Sequence, residues 1–221
     1  MVTVTVAAMN MRGAHAVVRG NALKINVTSA QRKDSRHRAL FSPMHVEPYE
    51  AADGHVYACF ENWWQSLKEF EGVDHATSVE WWRKLRVPKR RNPGLKGKSV
   101  LGAVHPGSPG DRVQYITSRI DIYVPEYMEL LERRGATLEL QRLRGAAVAY
   151  DTVAFFDFDG PRDAGTGAPL SLVLTEELFV QKLFDPTFPF GHGYVVAAMY
   201  AGFDIAALLQ RARLEAATRV A

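Results

Sequence analysis

Residues 60–70 read Phe60-Glu61-Asn62-Trp63-Trp64-Gln65-Ser66-Leu67-Lys68-Glu69-Phe70. Phe60, Trp63, Trp64, Leu67 and Phe70 recur at the three- and four-residue spacing of one helix face, so the stretch predicts an amphipathic helix that Gly72 ends. Upstream the period is two. Residues 14–29 alternate apolar and polar around Gly20-Asn21, which predicts a β-hairpin with arms Ala14–Arg19 and Ala22–Thr28. A basic loop, Gln31 to Arg38, and an extended segment through Tyr57 connect the two patterns. Met1 to Met11 is apolar but has no basic leader, and reads as a strand or an ordered tail.

Downstream, a second helix is expected with Ser78 as N-cap, running to Leu85. Pro88, Pro93, Gly94 and Gly97 make residues 87–97 a loop, and 99–104 a short strand. A helix opened by Asp111 is expected to break at Val124-Pro125 and resume through Arg134, with 136–144 helical again. Residues 148–158 form a strongly apolar strand, and 170–174 a short extended piece. Three helices follow, at 175–183, 193–201 and 204–217. Helices outnumber dispersed strands, so the expected class is α+β, one compact domain over residues 1–221 with helices dominant around a small sheet.

Apolar residues at 47% suffice for a core. The lone Cys59 excludes an intramolecular disulfide and a Cys-cluster zinc site, which suits a reducing, cytoplasmic setting. No run of 18 apolar residues is present, so no membrane span is expected. The seven histidines lack HxxxH or HxH spacing, and no metal or cofactor is expected. GxSxG, Walker A and GxGxxG motifs are absent. From Arg83 to Lys98 there are eight Lys/Arg and no acid. Such a block suits phosphate groups or nucleic acid, or is a solvated loop.

On the predicted helix, Glu61, Gln65 and Lys68 share a face: an acid or base, an amide and a cation. Phe60 and Trp64 flank them. The alternative is a polar surface stripe beside a core, but Trp63 and Trp64 are not expected to face one core together. Cleavage of an N-glycosidic bond builds positive charge on the ribose, which a carboxylate stabilises. Glu61 suits that role or that of a base on water. Lys68 would bind a pyrophosphate or act as an amine nucleophile.

Three further groups carry chemistry. Asp157-Phe158-Asp159-Gly160 at a strand end pairs two carboxylates as Mg²⁺ phosphotransfer sites do, or makes an Asp-stabilised turn. His192 stands at a helix start after Asp185, where backbone N–H groups would meet phosphate, or it only caps the helix. Arg32, Lys33, Arg36, Arg38 and Arg119 are candidate phosphate contacts.

Phe41-Ser42-Pro43, followed by a β segment ending near Tyr57 and then Glu61-x-x-x-Gln65-x-x-Lys68, resembles the NADAR family. The likeness is strongest over residues 38–70. It implies an N-glycosidase acting on ADP-ribosylated guanine or a ribosylated nucleotide intermediate. Under it, Glu61 and Lys68 would be catalytic. Arg38, Phe41, Ser42, Asn62, Trp64, Gln65, Asp185 and His192 would bind substrate; Arg119, Asp157 and Asp159 are further substrate-binding candidates from their own chemistry, since the 157–162 element has no counterpart in the family. Residues 123–131 would fill the family's central helix. Leu40 replaces the family's asparagine, and Phe188-Pro189-Phe190 stands where its tryptophan-glycine pair is expected. Two other readings are a nucleic-acid-binding accessory protein using residues 83–98 with Trp81-Trp82, and a Mg²⁺-dependent phosphotransferase at Asp157 and Asp159.

Overall fold

The computed structural model describes residues 2–9, 17–30, 35–108 and 110–220. In chain order its elements are β1 (Thr3–Ala8), β2 (Ala22–Asn26), α1 (Arg36–Phe41), β3 (Tyr49–Glu50), β4 (Val56–Tyr57), α2 (Phe60–Ser66), β5 (Lys68–Phe70) and α3 (His75–Arg83). Then follow β6 (Val100–Val104), β7 (Arg112–Val113), α4 (Tyr115–Ser118), a π-helical turn (Arg119–Tyr123), α5 (Val124–Arg133) and α6 (Ala136–Ala146). The chain closes with β8 (Thr152–Asp157), β9 (Ser171–Val173), α7 (Glu176–Phe184), α8 (His192–Ala201) and α9 (Ile205–Val220). The class is α+β, with helices dominant around small sheets. The chain divides into two compact units, Met1–Ser42 with Met128–Ala221, and Pro43–Tyr127. No described helix is long and apolar enough to cross a membrane.

The first unit is built on a sheet of order β2-β8-β1-β9. β8 runs parallel to both β1 and β2, while β9 is antiparallel to β1. Residues 153–156 of β8 are fully buried, as a central parallel strand covered on both faces requires. On one face Ala7, Met9, Val18, Ala154 and Phe156 form an apolar cluster. α8 packs against β1 and β8. It is apolar all round and almost wholly buried, as a core helix should be. Arg144 of α6 donates to the Tyr200 and Met199 carbonyls at 2.8 Å each, which places a cation at the C-terminal end of that helix. α1 is tied to α6 through Glu139, whose fully buried carboxylate accepts from Arg36, His37 and Arg142.

The second unit contains the β3-β4 pair and an antiparallel sheet β5-β6-β7. Its core is aromatic. Phe60 lies 5.2–5.8 Å, ring centre to ring centre, from Tyr49, Trp63, Tyr123 and Tyr127.

Several local expectations give way to tertiary pairing. Ala22–Asn26 pairs with β8, not with an upstream arm. Residues 17–19 are irregular, and 14–16 lie outside the described residues. Of the two readings of the N-terminus, strand or ordered tail, residues 3–8 form the strand, interior to its sheet; residues 10–12 are outside the described residues. Residues 36–38, read as loop, begin α1. The helix at Phe60 stops at Ser66 because the next residues are recruited by β6: the Leu67 carbonyl accepts from Val104 N, and Lys68 pairs with Ala103. Asp74, not Ser78, caps α3, accepting from Thr77 N at 2.8 Å.

The helix opened by Tyr115 does not break at Pro125. Pro125 has no N–H to offer the Asp121 carbonyl, and the chain widens into the π turn just before it, where Val124 N donates to Arg119 O.

Candidate functional site

The second unit holds two sets of these residues: Glu61 with Gln65, and Lys68 with Trp64, Tyr115 and Arg119. Glu61 sits in the first turn of α2, its N–H donating to Pro43 O at 3.0 Å. One turn on, Gln65 Nε2 donates to Glu61 Oε1 at 2.7 Å, so the amide sets the carboxylate's orientation. Both side chains are half-buried.

Lys68 stands on β5, not on the helix. It is 7% exposed. Its Nζ lies 5.2 Å from the centre of the Trp64 ring and 5.2 Å from that of Tyr115. Among the described residues no carboxylate stands within ion-pair distance of this amine. Faces of aromatic rings attract a cation by about 2 kcal/mol when it is desolvated, much less than the several kcal/mol lost on taking the ion out of water. Arg119, 3% exposed, opens the π turn, and its Cζ is 5.0 Å from the same Tyr115 ring. The two cations share one aromatic plate and so lie within about one Debye length of each other. Such a pair favours an incoming anion.

Trp63 and Trp64 are both buried but have different neighbours. Trp63 packs on Tyr49 and Phe60 in the aromatic core, whereas Trp64 packs on Tyr123 and forms the wall under Lys68. Tyr115 was missed as a site residue. Its signal was the i, i+4 relation to Arg119, legible only once both are known to flank Lys68.

Asn62 lies between Glu61 and Trp63 but faces elsewhere. Fully buried, it donates to Val87 O at 3.3 Å and accepts from Lys89 N at 3.0 Å. It therefore pins the basic loop to α2.

The remaining candidates belong to the first unit. Arg38, Phe41 and Ser42 are on or just after α1. Phe41 is fully buried with its ring 5.6 Å from His37, and Ser42 gives its carbonyl to Arg134 Nη1 at 2.9 Å. Arg36 is held by Glu139. Arg32 and Lys33 lie outside the described residues.

Asp157 ends β8 and is 1% exposed. Its Oδ2 accepts from Gly193 N at 2.7 Å and lies 3.1 Å from His192 Nδ1. His192 Nε2 is 2.9 Å from Val27 O. A carbonyl only accepts, so Nε2 carries a hydrogen, and the Nδ1 contact is attractive only with a further proton between it and the carboxylate. Asp157 thus caps α8 from another strand, placing a negative charge at the helix N-terminus. The approach explains the glycines. A Cβ on Gly191 would fall 2.5 Å from Asp157 Oδ2, and one on Gly193 2.8 Å from Asp157 Cβ.

Asp159 is exposed, and its N–H lies 3.4 Å from Asp157 Oδ1. The Asp185 carboxyl would be raised by burial. Hydrogen bonds from Lys182, Thr187 and Phe188 outweigh this and hold it below the usual carboxylate range. Burial, with Asp157 and Asp185 nearby, pushes the Tyr194 phenol well up, so it stays neutral. Among the described residues no group of three or more His, Cys, Asp or Glu is arranged to hold a metal ion.

No curated protein and no solved structure matches the chain. The profile of one family matches residues 10–173, a span that contains β2 to β9 and every element of the second unit. Since this is well over half of the chain, the protein belongs to the family of unknown function DUF6939.

Proposed function

We propose that the protein is an N-glycosidase that hydrolyses the bond between a ribose and a nucleobase in an anionic, nucleotide-type substrate, of which ADP-ribosylated guanine is the leading case. The observation that carries this reading is the Lys68 amine, buried between Trp64 and Tyr115, adjoined by Arg119 and, among the described residues, without a carboxylate partner. A substrate phosphate would supply the missing negative charge.

The chemistry then falls to Glu61. As the C1–N bond breaks, its electron pair leaves with the base, and positive charge grows on the ribose ring. A carboxylate held by Gln65 at 2.7 Å is positioned to stabilise that charge. It also accepts the proton of the attacking water, whose oxygen bonds to C1, and returns it to the departing base nitrogen. Support comes as well from the likeness of residues 41–43 and 61–68 to the NADAR motif.

The test is mass spectrometry of ADP-ribosylated guanosine, free and in DNA, incubated with the wild type and with Glu61→Gln. Release of ADP-ribose by the wild type and its loss in the variant are expected. Intact substrate after wild-type incubation sinks the reading.

A further inference from the structure

We propose that residues 86–98 form a surface that binds the phosphate backbone of double-stranded nucleic acid without reading its sequence. The inference is independent of the glycosidase reading, since it rests on different residues and on binding alone.

The charge distribution comes first. The chain has 27 Lys/Arg and 24 Asp/Glu. Eight of those cations fall between Arg83 and Lys98 with no acid among them, and setting them aside leaves 19 against 24. The rest of the chain is therefore net −5, and the modest overall charge of +3 hides a strongly basic loop on an acidic body. A polyanion is drawn to this loop more than to the acidic remainder taken as a whole.

The structure separates the eight. Arg83 is tied to Asp53 at 3.0 Å and Lys84 to Glu80 at 3.0 Å. Arg86, Lys89, Arg91, Lys96 and Lys98 are exposed, and among the described residues none of these five has an acidic partner. Arg90 is exposed beside them.

The loop is also held in shape. Buried Asn62 clamps it at Val87 and Lys89. Asn92 accepts from Gly94 N at 2.9 Å to open a 3₁₀ turn over Pro93–Leu95, and Lys98 N donates to Leu95 O at 3.1 Å. Charges on a pre-shaped loop lose less entropy on meeting a fixed array of phosphates than charges on a loose tail. Three of the six exposed cations are arginines, whose planar forks suit phosphate oxygens.

Residues 86–98 contain no aromatic side chain. Of the neighbouring rings, Trp82 is buried and Trp81 packs edge-on against it, so the loop itself offers unpaired bases no ring to stack on, which favours a duplex over a single strand. Of the loop's two large aliphatic side chains, Val87 and Leu95, Val87 alone is exposed, at 53%, too little apolar surface to enter a bilayer.

The experiment is fluorescence anisotropy with a labelled 20-base-pair DNA duplex, titrated at 50 and 200 mM NaCl. Five or so phosphate contacts should weaken wild-type binding by about 10²-fold or more between those salts. The triple change Arg86→Gln, Lys89→Gln, Arg91→Gln should reduce the salt slope by about 3, and the double change Lys96→Gln, Lys98→Gln by about 2. These exposed positions leave the fold intact, which circular dichroism checks. The proposal is overturned if the wild type does not bind the duplex at 50 mM NaCl, or if both variants bind as it does. Binding to phosphatidylserine vesicles with none to the duplex overturns it as well.

Discussion

Asp157 in the first unit and Lys68 in the second are both charged and both almost wholly buried, yet they are treated in opposite ways. Asp157 is surrounded by donors: the Gly193 N–H, the His192 ring and the first turn of α8. Among the described residues, Lys68 meets two aromatic faces and no carboxylate. A buried charge with every lone pair engaged contributes to the fold. One left short of a counter-ion costs stability that only a ligand recovers. On this ground Asp157, His192 and Gly193 form a structural joint between strand and helix, and the proposed chemistry is assigned to Lys68 and its neighbours.

Four predictions break or sharpen this contrast. Glu61→Gln should lower turnover of the glycosidic substrate by about 10²–10⁴-fold, the range for loss of a general base, with the melting curve unchanged. Equal activity would remove Glu61 from the chemistry. Asp157→Ala should destabilise the fold by about 3–5 kcal/mol, because it leaves the Gly193 N–H and the His192 ring without their acceptor in the interior. Urea unfolding measures this, and a loss below about 1 kcal/mol would show that the joint is not structural.

Lys68→Met should do the reverse. Replacing a lone buried ammonium with an apolar chain of similar length should leave stability equal or higher by about 1 kcal/mol, while substrate affinity falls at least tenfold. A destabilised Lys68→Met protein with normal affinity would place the lysine among the structural residues.

The smallest effect concerns acid. Hydrogen bonding from Arg142, opposed by burial and helped by His37, holds the Glu139 carboxyl below its ordinary range, and Asp185 is lowered as well. Groups lowered in the folded state stabilise it above the unfolded carboxylate pKa of about 4 and lose that contribution as pH falls through the folded value. The melting temperature should therefore decline below about pH 4, and Glu139→Gln should flatten the decline by less than about 5 °C. An unchanged acid limb would dismiss Glu139 as its source.

Much of this was legible in local pattern. The 3.6-residue period at residue 60 located α2. Thr175, predicted to open a helix, is the N-cap of α7 and accepts from Leu178 N at 3.1 Å. The apolar run at 148–158 contained β8, although residues 147–149 are a 3₁₀ turn that the run's composition did not reveal. Placing Lys68 on a helix failed because nothing within residues 60–70 says that β6, more than thirty residues later, offers it a strand partner. The hairpin at Gly20-Asn21 failed in the same way, since β2 finds β8 some 130 residues along the chain.

The order of residues alone therefore determined which segments are apolar, which turn, and that eight cations cluster between 83 and 98, because these properties depend on neighbours in the chain. Tertiary structure alone decided which charges are neutralised. It gave Asp157 to a helix that begins thirty-five residues later and set Lys68 between two rings from different elements. It also spent Asn62 on a loop rather than a ligand. A side chain's partners depend on what packs across from it, and that is set by long-range pairing of strands and helices, which no local period records.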